Sequence, residues 1–338
     1  MQSFSRPRLL VVELWGLGDL TLAAPFLQEA SRHAQVTLVA KPQWASLLGR
    51  FCPEVELIPF DAPWTAFIGK YRLASWPWRE IRKLMRTVRA QQFEVGVSAR
   101  PDPRDHLLLL LAGANRRLGF PRVGSGLLLQ TRLAAGGSLH RAEAWRRLAR
   151  ALGWDLPAPD GQRLRPVAPG APIVLHSGAA RPTRVWPLER FADLATRVRR
   201  GGHVVRVLCD ASQVPGWRRL GETDAVAPLD VGGLVDAMAA AACFIGNDSG
   251  PGHVAALCGV PTFTIFGPQL PGLFAPTHPQ AAWIDGRPCP YKPCFDSCRF
   301  AEPHCIRKLP VDDVRVRLES WLSTGCSARS LGPQDPMR

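Results

Sequence analysis

No apolar run in the 338 residues approaches the roughly 18 to 20 needed to cross a bilayer; those at Leu107–Ala112 and Ala239–Ile245 are far too short. Any membrane association is therefore expected to be peripheral. Lysine is scarce, confined to positions 41, 70, 83, 292 and 308, so arginine carries nearly all of the net charge of +14. No Lys or Arg run is long enough for a nucleic-acid arm, and most of the scattered basic residues read as solvated helix faces. Nucleic acid is not expected as a partner; the charge favours anionic lipid or phosphorylated glycan. No Asp-x-Asp metal-diphosphate motif is present, and no internal repeat. The turn Leu14–Asp19 lacks the third glycine of a dinucleotide fingerprint, and no acidic residue closes a clean second strand, which disfavours NAD.

Arg6 and Arg8 ahead of Leu9–Val12 imitate an export signal, but Glu13, Gly16 and Gly18 interrupt the apolar stretch. A short buried strand fits better, and a cytoplasmic protein is expected. From there the chain alternates. Strand-like segments at Leu9–Leu14, Val36–Ala40, Val55–Pro59 and Phe93–Val97 are interleaved with helical ones at Leu20–His33, Gln43–Phe51, Arg104–Ala112 and Ala142–Leu152. Pro157–Pro172, with five prolines and two glycines, reads as a linker. The alternation then restarts with strand Ile173–His176, helix Leu188–Arg200, strand His203–Leu208, an apolar run Ala239–Ile245, a helix at Val254–Leu257 and a strand ending at Phe266. This predicts an α/β protein with two Rossmann-like lobes, their parallel sheets facing a central cleft. The expected divisions are residues 1–160, residues 161–326 and a disordered tail 327–338, with the last helix, Val311–Leu322, packing back on the first lobe.

Three loops carry candidate chemistry. Gly246–His253 passes from a strand through Asn247, Asp248, Ser249 and Gly250 into a helix, which presents backbone N–H groups at a positive dipole end. It reads equally as an anion cradle and as a routine helix cap. His176–Pro187 brings a hydroxyl (Ser177), a glycine (Gly178) and two arginines (Arg181, Arg184) to the same sheet edge, a set suited to a diphosphate. Asp19 follows the first strand, where a carboxylate points at a ligand crevice or simply caps a helix. Four of nine cysteines cluster at Cys289, Cys294, Cys298 and Cys305. Reduced structural thiols come first for these, with a structural zinc or iron as the alternative, since the spacing is not the paired C-x2-C type. Cys52, Cys209, Cys243 and Cys258 read as buried small hydrophobes.

Taken together, Gly16-Leu17-Gly18-Asp19 with Pro25, Ser177-Gly178-Ala179 with Arg184-Val185-Trp186-Pro187, and Asn247–His253 with Phe266-Gly267-Pro268 resemble the heptosyltransferase family, glycosyltransferase family 9. The resemblance implies a GT-B fold, an acceptor site in the N-terminal lobe and a nucleotide-sugar site, typically for ADP-heptose, in the C-terminal lobe. It implies metal-independent, inverting transfer to a lipopolysaccharide-core or other cell-envelope glycan, at the inner face of the cytoplasmic membrane, with no cofactor required. Asp19 matches the catalytic aspartate. Ser177, Gly178, Arg184, Asp210, Asn247, Asp248, Ser249, Gly250 and His253 fall on the donor side, and Gly18, Lys70, Arg100 and Arg104 on the acceptor side. Arg184 stands where the lipopolysaccharide enzymes usually carry a lysine. A nucleotide-sugar epimerase of the same fold and a non-catalytic nucleotide-sugar or glycan-binding protein are the alternatives.

Overall fold

A computed structural model describes residues 6–66, 70–134 and 139–326. The tail 327–338, expected to be disordered, lies outside the described residues. The chain divides after Ala158 into two compact units, apart from Asp230–Gly232 and Gly272–Phe274, which group with the first.

The first lobe contains β1 (Arg8–Val12), α1 (Leu17–His33), β2 (Gln35–Ala40), α2 (Ala45–Phe51), β3 (Glu56–Pro59), α3 (Trp78–Ala90), β4 (Val95–Ser98), α4 (Pro103–Leu111), β5 (Arg116–Gly119), β6 (Thr131–Arg132) and α5 (Arg141–Ala151). Its strands form one parallel sheet in the order β3-β2-β1-β4-β5-β6. Leu9–Val12 are all buried because β1 is central and covered on both faces, which explains its unbroken apolar run. The chain lays β2 and β3 on one side of β1 and then returns to lay β4 on the other. The order therefore reverses between β1 and β4, and the loops leaving those two strands diverge into a crevice where ligands bind in such sheets.

The second lobe repeats the plan with β7 (Ile173–His176), α6 (Leu188–Arg200), β8 (Val205–Leu208), α7 (Val214–Arg219), α8 (Val231–Ala239), β9 (Cys243–Asn247), α9 (Gly250–Leu257), β10 (Thr262–Phe266), α10 (Pro271–Phe274), β11 (Ala282–Asp285), α11 (His304–Arg307) and α12 (Val311–Trp321). The parallel order β11-β10-β9-β7-β8 puts its reversal between β7 and β9. The two phosphate-type loops of the sequence leave those same two strands.

Three features differ from the sequence reading. Helices α3, α7, α8, α10 and α11 and strands β5, β6 and β11 escaped it, because the strands and most of these helices are short and charged residues interrupt the apolar pattern of α3. Pro157–Pro172 is not a free linker. Arg163 donates to the carbonyls of Ala241 (2.8 Å) and Ala242 (2.6 Å), and the Leu164 N–H to Cys258 O (3.0 Å), which fastens the segment along the second lobe. The last helix turns its apolar face into its own lobe. Val314, Leu318 and Trp321 of α12 are buried in the core of the second, with Trp186, Phe191, Trp217 and Phe263.

Candidate active site

In the first lobe, β1 delivers Glu13, Trp15 and Asp19 to the crevice, and β4 delivers Arg100. Asp19 occupies the third position of α1, and its Oδ2 accepts from the Gly16 N–H (3.3 Å), closing the first turn. The helix-cap role is thus real. The same oxygen also meets the Arg100 guanidinium at 2.5 Å. Arg100 lies over the Trp15 ring at 4.7 Å, which fixes its plane. Burial opposes charge on Asp19, but Arg100 and then Arg141, the first residue of α5, outweigh it and hold the carboxyl below its ordinary 3.8. Arg141 is itself pulled down to about 10 by burial and by Arg100.

Two further carboxyls share this site, and neither stood out in the sequence. Glu13, 2 % exposed, accepts from the Trp15 N–H at 3.1 Å. Burial, followed by repulsion from Asp19, pushes it up to about 8. Asp105, fully buried in the first turn of α4, accepts from the indole N–H groups of Trp15 (3.3 Å) and Trp64 (3.2 Å), and burial raises it to about 7. One ionised carboxylate therefore sits among carboxyls that retain protons near neutrality. The signal for Glu13 was its charge inside a buried apolar run; for Asp105, its place at a helix start after β4.

Of the other acceptor-side candidates, Gly18 lies in the first turn of α1, its carbonyl bonded to the Thr21 hydroxyl (2.8 Å). Arg104 is in the first turn of α4 and forks back onto the N-cap Asp102 at 2.9 and 2.6 Å. Its guanidinium is paired with that carboxylate. Lys70 stands over the Tyr71 ring at 5.1 Å.

In the second lobe the loops after β7 and β9 meet as expected. Asn247 is fully buried; its Nδ2 donates to Ser177 O (2.8 Å) and its Oδ1 accepts from the Trp186 N–H (3.1 Å). It ties the two loops together. Ser177 is likewise tied in. Its hydroxyl, fully buried, donates to Gln213 Oε1 (3.0 Å) and accepts from the Trp217 indole (2.8 Å). Gly178 lies against the Asp210 carboxyl, which would have to turn aside for a Cβ there. Its N–H donates to His176 Nδ1 (3.2 Å), and burial drops that imidazole to about 4, leaving it neutral at physiological pH.

Ser249, in extended backbone (φ −157°), caps α9, which opens with Gly250 and Pro251, and its hydroxyl bonds Asn247 O (3.2 Å). His253 is buried in the first turn of α9. Arg184 reaches Asp248 at 3.3 Å, and its fork is held by Asp296 at 2.8 and 2.7 Å. Asp296 lies inside the cysteine-rich segment, so that segment folds onto the Arg184 loop and supplies its counter-charge. Sequence spacing of more than a hundred residues hid this pair.

Cys52, Cys209, Cys243 and Cys258 are buried, as expected of small hydrophobes. Cys289, Cys294, Cys298 and Cys305 line a small cavity with Tyr291 and His304. Burial raises the Cys294 and Cys305 thiols, which favours the protonated form. Among the described residues no group of three or more His, Cys, Asp or Glu is arranged to hold a metal ion.

Comparison with known proteins finds relatives along nearly the whole chain. The chain is 26% identical to lipopolysaccharide heptosyltransferase 1 of Pseudomonas aeruginosa over 358 aligned positions, covering 93% of this chain and 98% of that protein. Among solved structures, the glycosyl transferase family 9 protein of Veillonella parvula superposes with a TM-score of 0.75 at 20% identity, over 95% of this chain and 99% of the other. The E. coli heptosyltransferase WaaC with ADP gives 0.72 at 18% identity, over 93% and 99%. Both share the fold of two parallel-sheet α/β lobes, the GT-B type. The family model for glycosyltransferase family 9 (heptosyltransferase) matches residues 81–304, from α3 through the second lobe to the start of α11, and the chain belongs to that family of glycosyltransferases.

Proposed function

We propose that this glycosyltransferase moves heptose from ADP-heptose to the hydroxyl of an anionic, lipid-linked lipopolysaccharide-core acceptor, with inversion and without a metal. In this reading residues 1–160 bind the acceptor, residues 161–326 bind the donor, and the enzyme works peripherally at the inner face of the cytoplasmic membrane. The observation that carries it is the Asp19–Arg100 pair with Arg141 nearby, at the crevice end of β1.

Transfer from a nucleoside diphosphate needs a base for the acceptor hydroxyl and a stabiliser for the departing diphosphate. Asp19 is held ionised and so can accept the proton as the new bond forms. Arg100 and Arg141 fix its orientation and draw an anionic acceptor toward it. The departing charge falls to the N–H groups at Ser249 and Gly250 and the dipole of α9, with Arg184 and His253 beside them and Asp210 near the nucleoside. Arg184 exchanges its contact with Asp248 for the diphosphate while Asp296 keeps its fork in place. The ADP held by the WaaC structure supports the nucleotide, and the name of the Pseudomonas relative supports the sugar.

The test is Asp19→Asn with ADP-heptose and a truncated lipopolysaccharide acceptor. Turnover is expected to fall by about 10² to 10⁴ while donor affinity is kept. Unaffected turnover would remove Asp19 from the mechanism, and binding without product from any nucleotide-sugar would favour a binding protein.

A further inference from the structure

The first lobe carries a surface that the chemistry above does not use. Helix α3 buries only Leu84 and Val88, and Arg79, Arg82, Lys83, Arg86 and Arg89 are exposed around the rest of it. Glu80 is its one acidic residue. Just ahead of and at its start, Tyr71, Leu73 and Trp78 are 78, 56 and 46 % exposed. Helix α4 packs beside α3, and the Gly113 turn that ends it lies against Arg89, where a Cβ would stand 3.9 Å from Arg89 Cγ. Along α4, Leu107, Leu110 and Leu111 form an exposed stripe at i, i+3, i+4. A leucine stripe thus runs alongside a basic helix with aromatic residues at its head.

We propose that this α3–α4 face docks on an anionic phospholipid bilayer. The arginines fit the headgroup phosphates, and the leucines and Trp78 fit the boundary between headgroups and acyl chains. A nucleic-acid backbone would satisfy the arginines but would leave three leucines in water. The surface is also joined to the crevice. Trp78 packs on Trp76 (ring centroids 5.5 Å), Trp76 on Trp64 (5.6 Å), and Trp64 donates to Asp105. Docking there would bring the acceptor side of the lobe to the membrane that holds a lipid-linked acceptor, and to that extent the inference rests on the function proposed above.

Co-sedimentation of the full chain with vesicles rich in phosphatidylglycerol, or of phosphatidylcholine alone, tests it. Binding is expected to the anionic vesicles only and to fall with added salt. The triple variant Arg79→Gln, Arg82→Gln, Arg86→Gln, all surface changes, should lose about fivefold per charge, about a hundredfold in all. Leu110→Ser should weaken the binding that survives salt. Turnover of a water-soluble, delipidated acceptor by the triple variant should match the parent. Vesicle binding that is absent, or unchanged in the triple variant, overturns the proposal, as does RNA binding without vesicle binding. Vesicle binding without sugar transfer would leave the docking surface standing and remove the proposed reaction.

Discussion

Replacing Glu13 by glutamine removes a carboxyl that the fold holds in its protonated form. Its ordinary value is 4.5 and in the folded lobe it is about 8, raised first by burial and then by Asp19. Between those values the folded state keeps a proton that the unfolded state gives up, so stability contributed by Glu13 falls as pH rises from 4.5 to about 8 and then levels off. The gap corresponds to a cost of about 5 kcal/mol at alkaline pH. Glutamine keeps an oxygen for the Trp15 N–H and cannot ionise. Glu13→Gln should therefore match the parent at pH 5 to within about 1 kcal/mol and exceed it progressively toward pH 9, since an isosteric polar change leaves the packing alone. Urea unfolding at intervals across pH 5 to 9, followed by tryptophan fluorescence, measures the difference directly. Asp105, raised to about 7, titrates in both proteins and cancels to first order. A difference independent of pH would refute the reasoning, because it would place the Glu13 effect in packing and not in ionisation.

Two other expectations concern the second lobe. Asn247→Ala leaves Ser177 O without one donor and the Trp186 N–H without its acceptor in a fully buried setting; a loss of about 2 to 4 kcal/mol is expected in thermal unfolding, with weaker ADP binding by calorimetry as the loops separate. Asp296→Ala breaks the fork on Arg184, and about 1 to 3 kcal/mol of stability should go with it, whereas Asp296→Asn, which keeps one acceptor oxygen, should lose less in the same melt.

Much of the plan was legible along the chain, because local pattern suffices for it. Buried parallel strands announce themselves as apolar runs, and the glycine-rich loops after β1, β7 and β9 mark the crevice ends of those strands whatever the side chains later do. Asp19 and the start of α9 were found in this way. The sequence could not assign Asn247 and Ser177, since a polar residue in a ligand loop and one that ties two loops together look alike until their partners are placed.

By itself, then, the sequence determined two α/β lobes, the loops that matter in each and the family, all properties of short windows and their order. Tertiary structure alone decided the charges. Asp19 became the ionised member of a carboxyl cluster because Arg100 arrives from β4 and Arg141 from α5, and Glu13 and Asp105 keep protons because neighbouring elements bury them. Asp296 met Arg184 because the cysteine-rich segment folds across the loop after β7. Electrostatic energy depends on distance and desolvation in space, and neither is written in separation along a chain.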